Sequence, residues 1–235
     1  MKHYAYESPF TMKDKEGVKY TLEIEPDECP EDPRDWDNLC TMVCWHSRYD
    51  LGDTHDYDGI EDFFQSLCKE VLGKGYDETS ELYWQDMLKM LEESNLILIK
   101  AINMYDHSGI TVSTSNSYPY NDRWDAGCVG FIYVTKKTIF KECGNITEEN
   151  WKNRADTYLE NEMTTYDQYL RGNVYGFELA KIVLKQDKCP HCGEVIREYE
   201  EEEFVDSCYG FYGDCLEENG LLDNLSNDLE FIEEE

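Results

Sequence analysis

The sequence predicts an α+β protein: one mixed or antiparallel sheet with packed helices, followed by a cysteine-rich, acidic C-terminal appendage. Apolar segments of strand length and amphipathic segments of helical length occur without strict alternation, which favours this class over a doubly wound sheet. Hydrophobic residues make up 40% of the 235 residues and aromatic residues 14%, enough to build a core. We expect a main domain over residues 1–185 and a cysteine-containing acidic region over 186–235 that packs on it.

Four elements are predicted in the first part of the chain. Tyr20, Leu22 and Ile24 alternate with polar residues after a turn around Gly17, which indicates an N-terminal hairpin. One continuous apolar segment indicates a buried strand, and two segments with apolar side chains three and four residues apart indicate helices. The strand is predicted over 39–45 and the helices over 59–72 and 81–91.

The remaining elements follow from the same patterns. Strands are predicted over 96–105, 129–134 and 174–184, and a long helix is predicted to begin at Thr147, which is a good N-cap residue. Strands that are apolar on both faces are covered on both faces. We therefore expect the segment 39–45 and the first two of these strands to be core strands of one sheet.

Charge is distributed unevenly along the chain. The 52 acidic residues exceed the 21 lysine and arginine residues and give a formal net charge of -31. Residues 198–235 contain 15 acidic residues and neither lysine nor arginine. Such a chain repels nucleic-acid phosphates and anionic membranes and attracts proteins with basic surfaces. We therefore expect no direct binding to nucleic acid and no membrane association.

The acidic C-terminal residues are predicted to be folded. Tyr209, Phe211 and Tyr212 offer an aromatic anchor, and apolar residues recur at helical spacing over 221–232. We expect residues 204–232 to pack against the main domain and to hold their acids on a fixed surface.

Five separated segments resemble, in this order, a family of uncharacterised proteins encoded by bacteriophages and other bacterial mobile elements. The segments are TMVCWHSRYDLGD, YDHSGI, RWDAGCVGFIYV, YDQYLRGNVYGFEL and DSCYGFYGD. The resemblance covers roughly residues 20–180 and resumes at 205–214. It implies an accessory gene of a mobile element and brings no established activity with it. Together with the lack of a long apolar run, it leads us to expect a protein in the cytoplasm of a bacterial host cell.

Histidines and aspartates follow the predicted strands. The candidates are His46, His107, Asp53, Asp106 and Asp125. If the strands are neighbours, these side chains could converge at one edge as a metal site or as a general acid/base pair. The structural alternative is that they cap strand ends and turns, which is the common role of polar residues there.

The segment CPHCG is the sharpest local motif. A Cys-x-x-Cys turn lets Cys189 and Cys192 point at one ion, and zinc accepts thiolates in tetrahedral geometry. Cys208 and Cys215 could complete the site, although their six-residue spacer departs from a usual second knuckle. The sequence thus predicts structural zinc, with a plain hairpin turn that carries reduced thiols as the alternative.

Two functions stay open at this point. The first is an inhibitor that presents carboxylates to a basic host protein or nucleoprotein effector, such as a defence nuclease that expects phosphates. The second is a metal-assisted hydrolase that uses the His46 and His107 cluster. We favour the first and lean against an enzyme; the oligomeric state is left open. The predicted partner-binding residues are Glu200, Glu201, Glu202, Glu203, Asp206 and Asp214.

Overall fold

A computed structural model describes residues 2–107, 109–115 and 126–232. Contacts divide the chain into two compact units. The terminal unit combines Met1–Glu31 with Gly172–Glu235, and the central unit is Asp32–Arg171. This division differs from the predicted boundary between residues 185 and 186, because the N-terminal hairpin pairs with a strand that begins at Val174.

The central unit is built on one antiparallel four-stranded sheet. Its strands are β3 (Thr41–Cys44), β4 (Ile97–Asp106), β5 (Ile110–Ser113) and β6 (Ala126–Thr135). Their order in the sheet is β3-β6-β4-β5. The three predicted core strands lie side by side in it, so that prediction is confirmed. The helices are α1 (Ile60–Leu72), α2 (Tyr76–Thr79), α3 (Trp84–Glu93), α4 (Lys136–Glu142) and α5 (Trp151–Leu170).

Helices cover both faces of this sheet, as the continuous apolar strands require. On β6, Ile132 and Val134 belong to the cluster that contains the buried side of α5. The alternate residues Phe131 and Tyr133 belong to a second cluster with the buried sides of α1 and α3. The period of two along a strand therefore separates two cores. The helix α5 begins after Asn150 and not at Thr147, whose carbonyl accepts hydrogen bonds in the preceding turn.

The terminal unit contains an antiparallel five-stranded sheet. Its strands are β1 (Phe10–Lys13), β2 (Lys19–Pro26), β7 (Val174–Lys188), β8 (Val195–Tyr212) and β9 (Glu230–Phe231). Their order in the sheet is β8-β7-β2-β1-β9, and the described core residues lie on one face of it. The α+β class is thus confirmed, with two sheets where one was predicted.

The helical spacing over 221–232 does not produce an α-helix. Leu222–Asn224 form one 3-10 turn, and Glu230–Phe231 pair with β1 as a short strand. Leu221 and Leu225 are nevertheless buried in the terminal core. The apolar spacing over 221–232 therefore indicates buried residues and does not indicate a helix. Among the residues that the structure describes, none of the helices is both long and apolar enough to cross a bilayer.

Candidate functional site

An ion-pair cluster in the central unit surrounds Arg34, whose side chain is only 3% exposed. Its Nε donates to Asp53 Oδ1 at 2.7 Å, its Nη1 to Glu162 Oε2 at 3.1 Å and its Nη2 to the carbonyl of Cys40 at 2.8 Å. Burial by itself lowers the pKa of Arg34, but the hydrogen bonds and charges of the two carboxylates raise it above its usual value. The guanidinium is therefore a fixed buried cation with matched partners.

Both carboxylates of this cluster also hold the backbone before and at β3. Asp53 Oδ2 accepts from the Met42 N–H at 2.8 Å. Glu162 Oε1 accepts from the N–H groups of Leu39 and Cys40 at 2.9 and 3.1 Å. Every oxygen of the two carboxylates thus has a donor. Asp53, a predicted catalytic candidate, has the contacts of a structural residue.

Asp106 and His46 are connected through Tyr49. Asp106 Oδ2 accepts from Arg48 Nη2 at 2.6 Å and from the Tyr49 hydroxyl at 3.2 Å. The His46 ring stacks on the Tyr49 ring with centroids 5.0 Å apart and planes 8° apart. The structure therefore brings His46 and Asp106 into one neighbourhood, with Asp106 engaged in an ion pair.

The remaining two candidates are His107 and Asp125. The His107 ring stacks on Tyr105 at 5.8 Å, and its N–H donates to the carbonyl of Gly109 at 3.1 Å. The approach of His107 to His46 stays a prediction. Asp125 lies outside the described residues. Within the described ranges, no group of three histidine, cysteine or acidic side chains is arranged to hold a metal ion.

A polar cavity of about 1120 Å³ opens beside His46. Among the described residues that line it are Trp45, Asp50, Asp53 and His55. His55 Nε2 lies 2.9 Å from the carbonyl of Cys44. The Nδ1 atom of His55 and the Nε1 atom of Trp45 are buried without a hydrogen-bond partner among the described residues. Sequence reasoning did not single out His55, although it stands in the polar run that follows β3.

A second candidate surface lies on the terminal unit, on the side of its sheet opposite the core. Leu22 and Ile24 on β2 and Phe177 and Leu179 on β7 are buried in that core. Side chains alternate across a sheet, so the residues between them face the other way. We call this side the outer face. Its acidic members are Glu23, Glu25, Glu178, Glu198, Glu200 and Glu202.

Register assigns the acids of β8 to the two sides. Glu198, Glu200 and Glu202 are paired with Gln186, Leu184 and Ile182, which lie on the outer face. Glu201 and Glu203 alternate with them and lie on the core side. There Lys185 Nζ lies 2.6 Å from Glu203 Oε1 and 3.9 Å from Glu201 Oε2. The hydrogen bond from Lys185 is the main cause that lowers the pKa of Glu203, and the positive charge of Lys185 adds to it. The outer acids instead accept neutral bonds, from Gln186 to Glu198 and from Thr21 to Glu202.

The six predicted partner-binding residues therefore do not share one surface. Asp206 pairs with Leu179 and belongs to the core side of β8, as Glu201 and Glu203 do. Asp214 lies beyond the end of β8, where its carbonyl accepts from the Ala5 N–H at 2.8 Å. Only Glu200 and Glu202 lie on the outer face. The acids on β2 and β7 were missed, although the alternation of KYTLEIE points Glu23 and Glu25 away from the core.

The four predicted zinc ligands are separated. Cys189 and Cys192 lie in the turn between β7 and β8, whereas Cys208 is paired with Phe177, eleven residues back along β7 from Lys188. At about 3.3 Å per residue, this is roughly 36 Å. Cys215 lies past the far end of β8 and is buried. One chain therefore cannot gather these four thiolates, and the predicted four-ligand set is wrong.

The comparisons with known proteins add no relative: no family model, no curated protein and no solved structure matches this chain. The features that bear on function are therefore the polar cavity of the central unit and the outer face of the terminal unit.

Proposed function

We propose that the protein acts by binding, as an acidic inhibitor that occupies the nucleic-acid site of a host defence nuclease or effector complex. One observation carries the proposal: six carboxylates lie on the outer face, on hydrogen-bonded strands of one sheet. Acids on ordered strands bind without first losing the conformational entropy of a mobile tail. A phosphate mimic needs such a fixed array.

Acids of three neighbouring strands together give the outer face its charge. On β8, Glu198, Glu200 and Glu202 lie two residues apart, which is about one carboxylate per 6.8 Å. Each strand of duplex DNA carries one phosphate per roughly 3.4 Å of helix axis, so β8 alone has about half that density on this face. The carboxylates on β2 and β7 add to the negative charge that a basic groove would meet.

Exposed apolar side chains on the same face favour a protein as the partner. Leu184 and Phe204 are 64% and 67% exposed, and register places both on the outer face beside Glu200 and Glu202. Apolar and aromatic side chains contribute most of the binding energy at protein interfaces, while charges increase the association rate. The face thus combines anchors with carboxylates. The resemblance to mobile-element proteins supports a defence component as the target.

The experiment is a pulldown from bacterial host lysate at low and high salt, followed by DNA competition on the captured partner. We expect capture that weakens as salt rises, because exposed charges are screened beyond about 10 Å at 0.1 M salt. The captured protein should bind DNA, and the inhibitor should displace that DNA. A partner that holds DNA and inhibitor at once would contradict mimicry.

The polar cavity favours a second candidate, a metal-assisted hydrolase in the central unit. His46 and His55 both line the cavity, and the orphaned Nδ1 of His55 is an atom that a ligand could engage. The test is a panel of phosphomonoesters, phosphodiesters and carboxylic esters with Mg²⁺, Mn²⁺ or Zn²⁺. Turnover that His46→Ala abolishes would support the enzyme, and no turnover of the panel would count against it.

A further inference from the structure

The turn between β7 and β8 has the local geometry of half a zinc site. The Cys189 N–H donates to the carbonyl of Glu194 at 2.7 Å, and the Gly193 N–H returns to the carbonyl of Cys189 at 2.9 Å. Gly193 has a φ of +75°, which glycine adopts without a Cβ penalty. This tight turn carries Cys189 and Cys192 three residues apart, the spacing with which two thiolates can bind one zinc ion.

The two thiols are carried at the end of a ribbon. The pairing of β7 with β2 ends at Lys181, whereas its pairing with β8 continues to Lys188. Seven residues of two-stranded ribbon span about 23 Å. The turn beyond them is solvent-accessible, and Cys192 itself is exposed. Two thiols are therefore presented together, away from the core of the terminal unit.

One chain supplies only half of a closed zinc site at this turn. Structural zinc takes four protein ligands. Glu194 Oε2 accepts from Cys192 Sγ at 3.7 Å, but within the described residues no group of three histidine, cysteine or acidic side chains is arranged to hold a metal ion. An identical turn on a second chain would supply the same two thiols, and a two-fold axis through the metal would complete a tetrahedral set of four.

Charge restricts where two such chains can meet. Two molecules with a formal charge of -31 repel each other over most surfaces. The ribbon end is an exception: residues 185–197 contain three basic residues and two acidic ones. A zinc ion with four thiolates carries two net negative charges. Each of the two ribbon ends has one surplus positive charge, so together they offset the charge of the zinc site. Two copies of this acidic protein can thus come into contact at their ribbon ends.

Apolar side chains next to the cysteines also lack cover. Val195 and Ile196 are 46% and 68% exposed at the start of β8. A second ribbon end would shield them, which adds a favourable burial term to the metal bonds. We propose that two copies of this chain share one zinc ion, bound by Cys189 and Cys192 of each copy.

The experiment measures zinc content and mass on the full, reduced chain. Light scattering after size exclusion should give twice the chain mass with zinc, about one zinc per two chains, and the single-chain mass after chelation. The double variant Cys189→Ser/Cys192→Ser should lose zinc and remain single at the same concentration. Cys29→Ser, which changes another exposed cysteine of the terminal unit, should keep both zinc and dimer.

Three results would overturn the proposal. One zinc per single chain would mean that the chain completes the site alone. A dimer that survives in Cys189→Ser/Cys192→Ser would place the interface elsewhere. A folded, reduced protein that takes up no added Zn²⁺ would leave CPHCG as a turn. The site is independent of the proposed function, because the cysteines lie beyond the acids of the outer face, so either idea can fail alone.

Discussion

The two units use their acids in opposite ways. In the central unit, Asp53 and Glu162 surround a buried arginine and hold backbone N–H groups, and Asp106 binds Arg48. On the outer face of the terminal unit, the acids of β8 accept only neutral hydrogen bonds in the described contacts, while Lys185 serves the other side. Acids of the first kind stabilise the fold. Acids of the second kind are those that meet a partner in the proposed function.

The largest loss of stability should come from substitution of Arg34, which lies between the acids of the central unit. Arg34→Ala leaves two carboxylates without their cation, and breaking a buried pair in this way costs about 3–5 kcal/mol. Arg48→Ala is the matched control, because that side chain is 66% exposed and an exposed pair contributes about 0–1 kcal/mol. Urea unfolding measures both. Equal losses of stability in the two variants would contradict the assignment of Arg34 as a buried ion pair and Arg48 as an exposed one.

Substitution of Gly176, which lies under the Tyr209 ring on the outer face, should cause a smaller loss of stability. A Cβ on Gly176 would lie 2.1 Å from Cδ1 of Tyr209, so the tyrosine ring covers this glycine closely. Gly176→Ala should cost about 1–3 kcal/mol by overpacking. It should also loosen the hydrogen bond from the Tyr209 hydroxyl to Glu25. Gly127→Ala, where a Cβ meets nothing within 4 Å, is the control in urea unfolding.

One acid of the terminal unit behaves like those of the central unit. Burial raises the pKa of Glu217, but hydrogen bonds from the backbone and ring of His3 outweigh it and lower the pKa to about 2. A depressed folded pKa stabilises the protein above the unfolded value and loses this contribution as pH falls through the folded one. The stability difference between the protein and Glu217→Gln should therefore be full near neutral pH and fade between about pH 4.5 and 2. A difference that stays constant over that range would contradict the assignment.

The core of the central unit was predictable from sequence because burial on both faces leaves continuous apolar strands. The segments 39–45, 96–105 and 129–134 carry that pattern and lie in one sheet. The strand β8 was not predictable, because its run of glutamates has low β propensity. It is a strand because β7 pairs with it along its length. Tertiary pairing outweighs local preference there, as core burial does for Leu221 and Leu225.

The candidate sites show the same limit. His46 and Asp106, two candidates chosen at strand ends, are connected through Tyr49. The sequence could not reveal that Asp53 is paired with Arg34, since 19 residues separate them. His55 carried no signal beyond its polar neighbours. The thiols of Cys208 and Cys215 matched zinc in type, while the length of β7 and β8 separates them from Cys189. Residue type indicates possible chemistry, and only register shows which residues meet.

The central claim is that the position of the acids, and not their number, makes the outer face a binding surface. The direct measurement compares two double variants with the captured partner: Glu200→Gln/Glu202→Gln on the outer face and Glu201→Gln/Glu203→Gln on the core side. Both remove two charges from four neighbouring residues. The outer pair should slow association about tenfold at low salt and flatten its salt dependence, while the inner pair changes little. Equal slowing by both pairs would show that only total charge matters and would contradict the account.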